Sequence, residues 1–263
     1  MNGWYTQFVK QLIFRVLDST IGTLIRIFQR FLIKSNPHPK DPIQLINEAA
    51  MQDSANYAID NFSTALQFRT IDRDKFWTYC LSKSRDLNPG SIVTLNGNKF
   101  PGEAIVAEFG VFKGKSINFF ASRCPNAKVY GFDSFLGLEE DWTGWILPAG
   151  YFSTNGIMPK CESNVYLYKG CFEDTVPSFQ LELKNKFISL LHIDSDTYKP
   201  AKYVLNALVK NLKSGSIIIF DEFYGYHGWR SHEYKAFEEF VVAHDLKYKF
   251  IAYTGEQVAV EVL

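Results

Sequence analysis

The chain has no excess of charge of either sign: 28 Lys and Arg are matched by 28 Asp and Glu, so the formal net charge is zero. A general nucleic-acid binder is thereby disfavoured, because affinity for phosphate backbones comes from clustered positive charge. There is no C-x-x-C pair; Cys80, Cys124, Cys161 and Cys171 stand apart, as expected for a reduced, cytoplasmic chain. No uninterrupted apolar run reaches the roughly 18 residues of a membrane-spanning helix. The apolar stretch 16–25 contains Asp18, and no small-residue cleavage site follows it, so a secretory signal is not expected either. Internal repeats and low-complexity tracts are also missing. What is present is a globular balance, 46% hydrophobic and 21% charged, over 263 residues. That suits one medium α/β domain with an extension, or at most two small domains. Aromatics reach 16%, with 23 Phe, which points to large packing layers or ring-lined clefts.

Residues 1–42 read as a basic arm and a linker. Tyr5, Phe8, Leu12, Val16, Ile21, Leu24, Phe28 and Phe31 recur every three to five positions, and five basic residues against Asp18 leave the arm at +4. Such a helix can lie on an anionic membrane surface, a peripheral contact, or dock on its own domain or a second copy in a homo-oligomer. The proline-rich stretch 35–42 then breaks it. Residues 43–100 read as a helical extension: apolar positions keep helical spacing from Leu45 to Leu66 and again over Phe76, Trp77, Cys80 and Leu81, with a break near 69–72.

From about residue 101 the rhythm changes. Strand-like runs at 104–109, 128–132, 165–168, 187–193 and 216–220 alternate with helical stretches at 115–123, 177–186, 199–213 and 233–244. Alternation of this kind implies a parallel sheet with right-handed crossovers. The tail, 248–253 and 257–262 around Thr254-Gly255, reads as an antiparallel hairpin. Five alternating strands and a hairpin predict a Rossmann-like, mainly parallel seven-stranded sheet preceded by N-terminal helices.

The first strand ends in Glu108-Phe109-Gly110-Val111-Phe112-Lys113-Gly114-Lys115-Ser116 and enters a helix. Glycines there allow a tight turn and close backbone approach to a ligand. Asp133 follows Gly110 by 23 residues, at the end of the second strand, where a carboxylate can accept both ribose hydroxyls. The dinucleotide pattern G-x-G-x-x-G is not met, since Val111 and Phe112 stand where backbone clearance is needed. Glu108, awkward beside a pyrophosphate, suits the ammonium or sulfonium end of S-adenosylmethionine.

The motifs Glu108 to Ser116, Gly131-Phe132-Asp133-Ser134-Phe135-Leu136-Gly137-Leu138, Lys169-Gly170-Cys171-Phe172-Glu173-Asp174-Thr175, His192-Ile193-Asp194-Ser195-Asp196-Thr197-Tyr198 and Phe220-Asp221-Glu222-Phe223 together resemble the macrocin O-methyltransferase (TylF-like) family of class I methyltransferases. The resemblance covers about residues 100–263. It implies S-adenosylmethionine as cofactor, with Glu108, Gly110, Gly114, Ser116, Asp133, Ser134, Gly170 and Phe172 as its site, the segment around Gly170 and Phe172 meeting the adenine. The implied acceptor is a hydroxyl of a sugar or glycosylated small molecule.

Asp194-Ser195-Asp196 and Asp221-Glu222 close two strands whose carboxyl ends should share one sheet edge. Converging carboxylates raise one another's pKa unless a cation relieves them, and oxygen donors suit Mg²⁺. No Lys or Arg stands beside them in sequence to do so. The resemblance implies the same ion on Asp194, Asp221 and Glu222, with Asp196 as a further candidate. Asp194 is then ligand and base, and the flanking loop offers His227 or His232 to the acceptor. Tyr198 and Lys202 fit the Y-x-x-x-K spacing of short-chain dehydrogenases, which leaves an NAD-dependent oxidoreductase as one alternative and a non-catalytic membrane-surface protein as another.

Overall fold

A computed structural model describes residues 41–84, 104–184 and 186–263. The basic arm, the linker up to residue 40 and the last part of the extension, 85–103, lie outside the described residues. The chain divides into two compact units, 1–46 and 47–263. Of the first, only the opening of helix α1 (Pro42–Asn61) is described; the second carries everything that follows.

Eight strands form one mixed sheet in the order β1-β7-β8-β6-β5-β2-β3-β4. Its centre is β2 (Ile105–Phe109), β5 (Leu190–Ile193) and β6 (Ile217–Phe220), in which every residue is buried. That is why these strands read as near-continuous runs of apolar residues, the signature of parallel strands covered on both faces. Beyond β2 lie β3 (Lys128–Asp133) and β4 (Val165–Lys169), both parallel. On the other side β8 (Val258–Val262) is antiparallel to both β6 and β7 (Tyr248–Tyr253).

The sheet has one strand more than the sequence pattern implied. Leu66, which fits a helical spacing, instead belongs to β1 (Leu66–Gln67), which pairs parallel to Ala252 and Tyr253 on the sheet edge. Two residues are too short a run for alternation to register.

Helices α2 (Arg73–Lys83) and α3 (Lys115–Arg123) cover one face through Phe76, Trp77, Ile117 and Phe120. Helices α4 (Phe172–Leu183), α5 (Tyr198–Leu208) and α6 (Glu233–His244) cover the other. In α5 the buried positions Ala201, Val204, Leu205 and Leu208 fall on one stripe of a 3.6-residue period. Helix α4 begins five residues earlier than expected and carries Pro177 in its interior, where a proline usually marks a boundary. Helix α5 ends sooner than expected, passing into a 3₁₀ turn at Val209–Asn211.

The segment preceding the sheet is anchored by aromatic packing. Phe62 is buried with its ring 4.7 Å from Phe250, 4.9 Å from Tyr253, 5.4 Å from Tyr224 and 5.6 Å from Tyr57. Arg230 adds a two-nitrogen grip on Asp53 of α1 at 2.8 and 2.9 Å. Truncating Phe62 removes the ring on which four others rest. Phe62→Ala should therefore cost about 3–5 kcal/mol in urea unfolding, and a loss below about 1 kcal/mol would show that the anchoring lies elsewhere.

Candidate active site

The strand order reverses between β2 and β5: the chain runs outward to β4, then returns to build β5 and β6 on the other side. Loops at the carboxyl ends of β2 and β5 therefore part from each other, and a crevice opens between them. Gly110 lies on its floor with φ +101°, and a Cβ there would stand 1.6 Å from the carbonyl oxygen of Asp194. Only glycine permits this approach. The turn is held by main-chain bonds, Gly110 N–H to Phe132 O at 3.0 Å and Asp194 N–H to Phe109 O at 2.8 Å.

Asp133 organises the same turn. Its Oδ2 accepts the N–H groups of Val111 and Phe112 at 2.8 and 2.7 Å, and its Oδ1 accepts that of Phe135 at 2.6 Å. Above it is a cavity of about 290 Å³. Gly110, Asp133, Ser134, Gly170 and Phe172 line it on one side, with Phe112, Leu138 and Phe152 adding apolar wall; Asp194, Asp196, Asp221 and Glu222 line the other. The two groups of residues singled out in the sequence thus share one cavity.

Three expected cofactor contacts are not in its wall. Glu108 is fully buried, accepting a hydrogen bond from Ser116 Oγ at 3.0 Å and facing His192 Nδ1 at 3.0 Å. Strand alternation sends it under α3, away from the crevice. Ser116 is buried with it, and Gly114 serves as the left-handed residue that starts α3. His227 is exposed, and what it brings to the neighbourhood is its carbonyl, against which Gly144 packs. His232 is buried instead, its Nε2 2.8 Å from Thr143 O. Tyr198 and Lys202 do not line the cavity either: they meet each other and Glu239 on the outside of α5 at 2.6–2.8 Å. A dehydrogenase reading loses its residues.

The acids are arranged by a second buried charge system. His192 Nε2 lies 3.4 Å from Asp221 Oδ1, so one imidazole spans Glu108 and Asp221. Burial opposes its charge, but hydrogen bonds to Asp221 and Glu108 prevail and push its pKa up to about 10. Burial would raise Asp221; the hydrogen bond and charge of His192, then the charge of Arg73, hold it down to about 2. Gln257 Nε2 also donates to Asp221 Oδ1. Arg73 at the start of α2 approaches Asp221 Oδ2 at 3.5 Å. The compensation is thus wider than the absence of an adjacent Lys or Arg implies: His192 acts from within the motif, and Arg73 arrives through the fold.

Asp194, Asp196 and Glu222 have less relief, the charge of His192 only partly offsetting the rise at Asp194. Burial first, then neighbouring carboxylates, raise all three well above the ordinary carboxylate range. Each can offer an oxygen within 4.8 Å of the others; an overlapping set joins a ring nitrogen of His192 to oxygens of Asp194 and Asp221. His192 is engaged by Glu108, which leaves the all-oxygen set as the better cation site. Asp196 also holds a left-handed φ of +63°, a costly conformation for a residue with a side chain. Glu233, the first residue of α6, is buried and accepts the N–H groups of Ser195 at 3.3 Å and Glu222 at 3.2 Å, fixing both acidic loops at once. Burial and the charges of Asp194 and Asp221 lift its pKa to about 8.

Sequence reasoning missed Arg73, Glu139, Thr197 and Pro200 in the wall. Arg73 lies 121 residues before Asp194 and belongs to no motif. Phe152 also lines the cavity, its ring 5.4 Å from Phe112 and 4.7 Å from Tyr151, while Trp142 of the same stretch packs 5.8 Å from Tyr226 and 6.4 Å from His232.

Residues 107–223 match the family described as "Methyltransferase domain". The solved structure of calicheamicin methyltransferase CalS11 aligns over 87% of this chain and 96% of that one, with TM-score 0.53 and 19% identity. A second structure of CalS11, described as a TDP-rhamnose 3′-O-methyltransferase, gives TM-score 0.50 at 20% identity, over 87% and 98%. The O-methyltransferase NovP gives 0.50 at 17% identity, over 72% and 79%. No curated protein sequence matches the chain. The sheet has the Rossmann-like fold of these methyltransferase structures, and residues 107–223 are similar to the methyltransferase-domain family.

The buried Glu108–His192 pair makes a stability prediction. Replacing one partner leaves the other unpaired, so His192→Gln should cost about 3–5 kcal/mol. Adding Glu108→Gln should restore part of it. Additive losses in denaturant unfolding would show that the pair is not coupled.

Proposed function

We propose that the protein is an S-adenosylmethionine-dependent O-methyltransferase, similar to the macrocin O-methyltransferases, that methylates a hydroxyl of a sugar or glycosylated small molecule with Mg²⁺ at its acidic cluster. One observation carries this reading: a glycine turn organised by Asp133 and a cluster of three poorly compensated carboxylates line one cavity. A donor site alone would fit many ligands, and an acidic cluster alone is common on surfaces. Their juxtaposition gives a donor and an activated oxygen a shared space.

The residues present fit both groups. The close approach of Gly110 to Asp194 leaves the crevice floor free of side chain, while Phe112, Leu138, Phe152 and Phe172 supply apolar surface for a purine. Asp133 Oδ1, which accepts one backbone N–H, keeps lone-pair capacity toward a ribose hydroxyl, whereas Oδ2 is filled by two. On the acidic side, Asp194, Asp196 and Glu222 present hard oxygens, and Glu222 Oε2 is buried without a hydrogen-bond partner. These three would hold the ion, in place of the expected set with Asp221, which His192, Gln257 and Arg73 already engage. When bound, Mg²⁺ supplies a Lewis acid that lowers the pKa of the acceptor hydroxyl.

The chain's own residues do the rest. Asp194 stands nearest the junction, its main chain touching the Gly110 turn and its carboxylate among the acids, so it is placed to take the hydroxyl proton. Glu233 fixes the loops of Ser195 and Glu222, and with them the distance between donor and acceptor sides. The TDP-rhamnose assignment of a structural neighbour supports a sugar acceptor.

Labelled methyl transfer to a panel of sugar acceptors tests the reading. EDTA should abolish turnover and Mg²⁺ restore it, and Asp194→Asn should lower kcat by about 10²–10⁴. Full activity of the metal-free enzyme would remove the ion from the mechanism. The N-terminal arm is proposed to serve oligomerisation or contact with anionic lipid. Removing residues 1–34 should leave transfer to a soluble acceptor intact while changing oligomeric state or liposome flotation.

A further inference from the structure

The cavity is asymmetric in charge. Its wall carries Asp133, Glu139, Asp194, Asp196, Asp221 and Glu222, against a single basic residue, Arg73. The guanidinium is about one-third exposed, and its nearest carboxylate oxygen is Asp221 Oδ2 at 3.5 Å, longer than a good charge-assisted bond. Its Cζ lies 5.7 Å from the centre of the Trp77 ring, a contact that uses no hydrogen-bond donor. Most of its five N–H donors are thus uncommitted to any described residue.

We propose that Arg73 is the anion-binding residue of this cavity and takes the carboxylate of the donor's amino-acid end. This rests on the methyl-donor reading above. S-adenosylmethionine brings two positive groups, which the acids suit, and one carboxylate, which they repel. Desolvating that carboxylate among six acids needs a cation, and Arg73 is the one the wall provides. Arginine's planar fork matches a carboxylate with two parallel bonds, which a lysine cannot reproduce. Asp221 keeps His192 and Gln257 as partners, so Arg73 can turn from it without leaving a bare buried charge. The segment before the sheet therefore contributes a binding residue as well as a structural cover.

Calorimetric titration of the full chain with S-adenosylmethionine and with its decarboxylated form isolates this contact, because the two differ only in the carboxylate. The wild type should prefer the complete donor by about 10-fold or more, and Arg73→Gln should erase that preference while binding the decarboxylated form as before. Arg73→Lys should recover part of it. Equal loss for both ligands would assign Arg73 a structural role and overturn the proposal, as would an unchanged preference in Arg73→Gln. A variant that keeps the preference but weakens only a nucleotide-sugar acceptor would move Arg73 to the acceptor's phosphates, again overturning it. A wild type that binds neither donor form would bring down the methyltransferase reading together with this inference.

Discussion

One imidazolium stitches three central strands together. His192 on β5 faces Glu108 on β2, its register partner, and reaches Asp221 just past the end of β6. Trp77 and Phe120 cover the ring edge-on at 6.2 and 5.4 Å. Glu108 and His192 are fully buried and Asp221 nearly so, so each charge depends on the others being present. The chain of charges sits directly beneath the carboxyl edge of the sheet, where the crevice opens. Whatever fixes His192 also fixes the strand ends that carry Gly110, Asp194 and Asp221.

This arrangement separates two classes of acid that look alike in sequence. Asp221 is a structural anion, held down by His192 and Arg73. Asp194, Asp196 and Glu222, within a few ångströms, are less well compensated and resist ionisation. Burial is shared by both classes; partners are not. A cluster divided in this way stores unfavourable electrostatics at one point and balances it at the next, so that a cation is favoured only where balance is missing.

Much of the architecture was legible because its signals are local. Apolar runs of buried parallel strands, the period of α5 and the Thr254-Gly255 hairpin each declare themselves over a few residues. The glycine turn at Gly110, and the acids at the ends of β5 and β6, follow from the rule that open α/β sheets bind ligands at their carboxyl edge. Alternation along β2 puts Glu108 outside the cavity wall, a side that the motif alone does not declare. Loop position likewise does not say which of two neighbouring histidines is buried: His232 is, and His227 is exposed.

The sequence by itself determined the alternation of strands and helices from β2 onward, the mainly parallel sheet they form, and the two motif groups placed at its edge; the short edge strand β1 it did not. The tertiary structure alone decided which acids are compensated and which are not. Sequence distance carries no information about electrostatic distance: Arg73 reaches Asp221 from a helix 148 positions earlier, and Glu108 meets His192 across 84. Charge interactions depend on separation and burial in space, and only the packing of α2 and α3 on the sheet sets both.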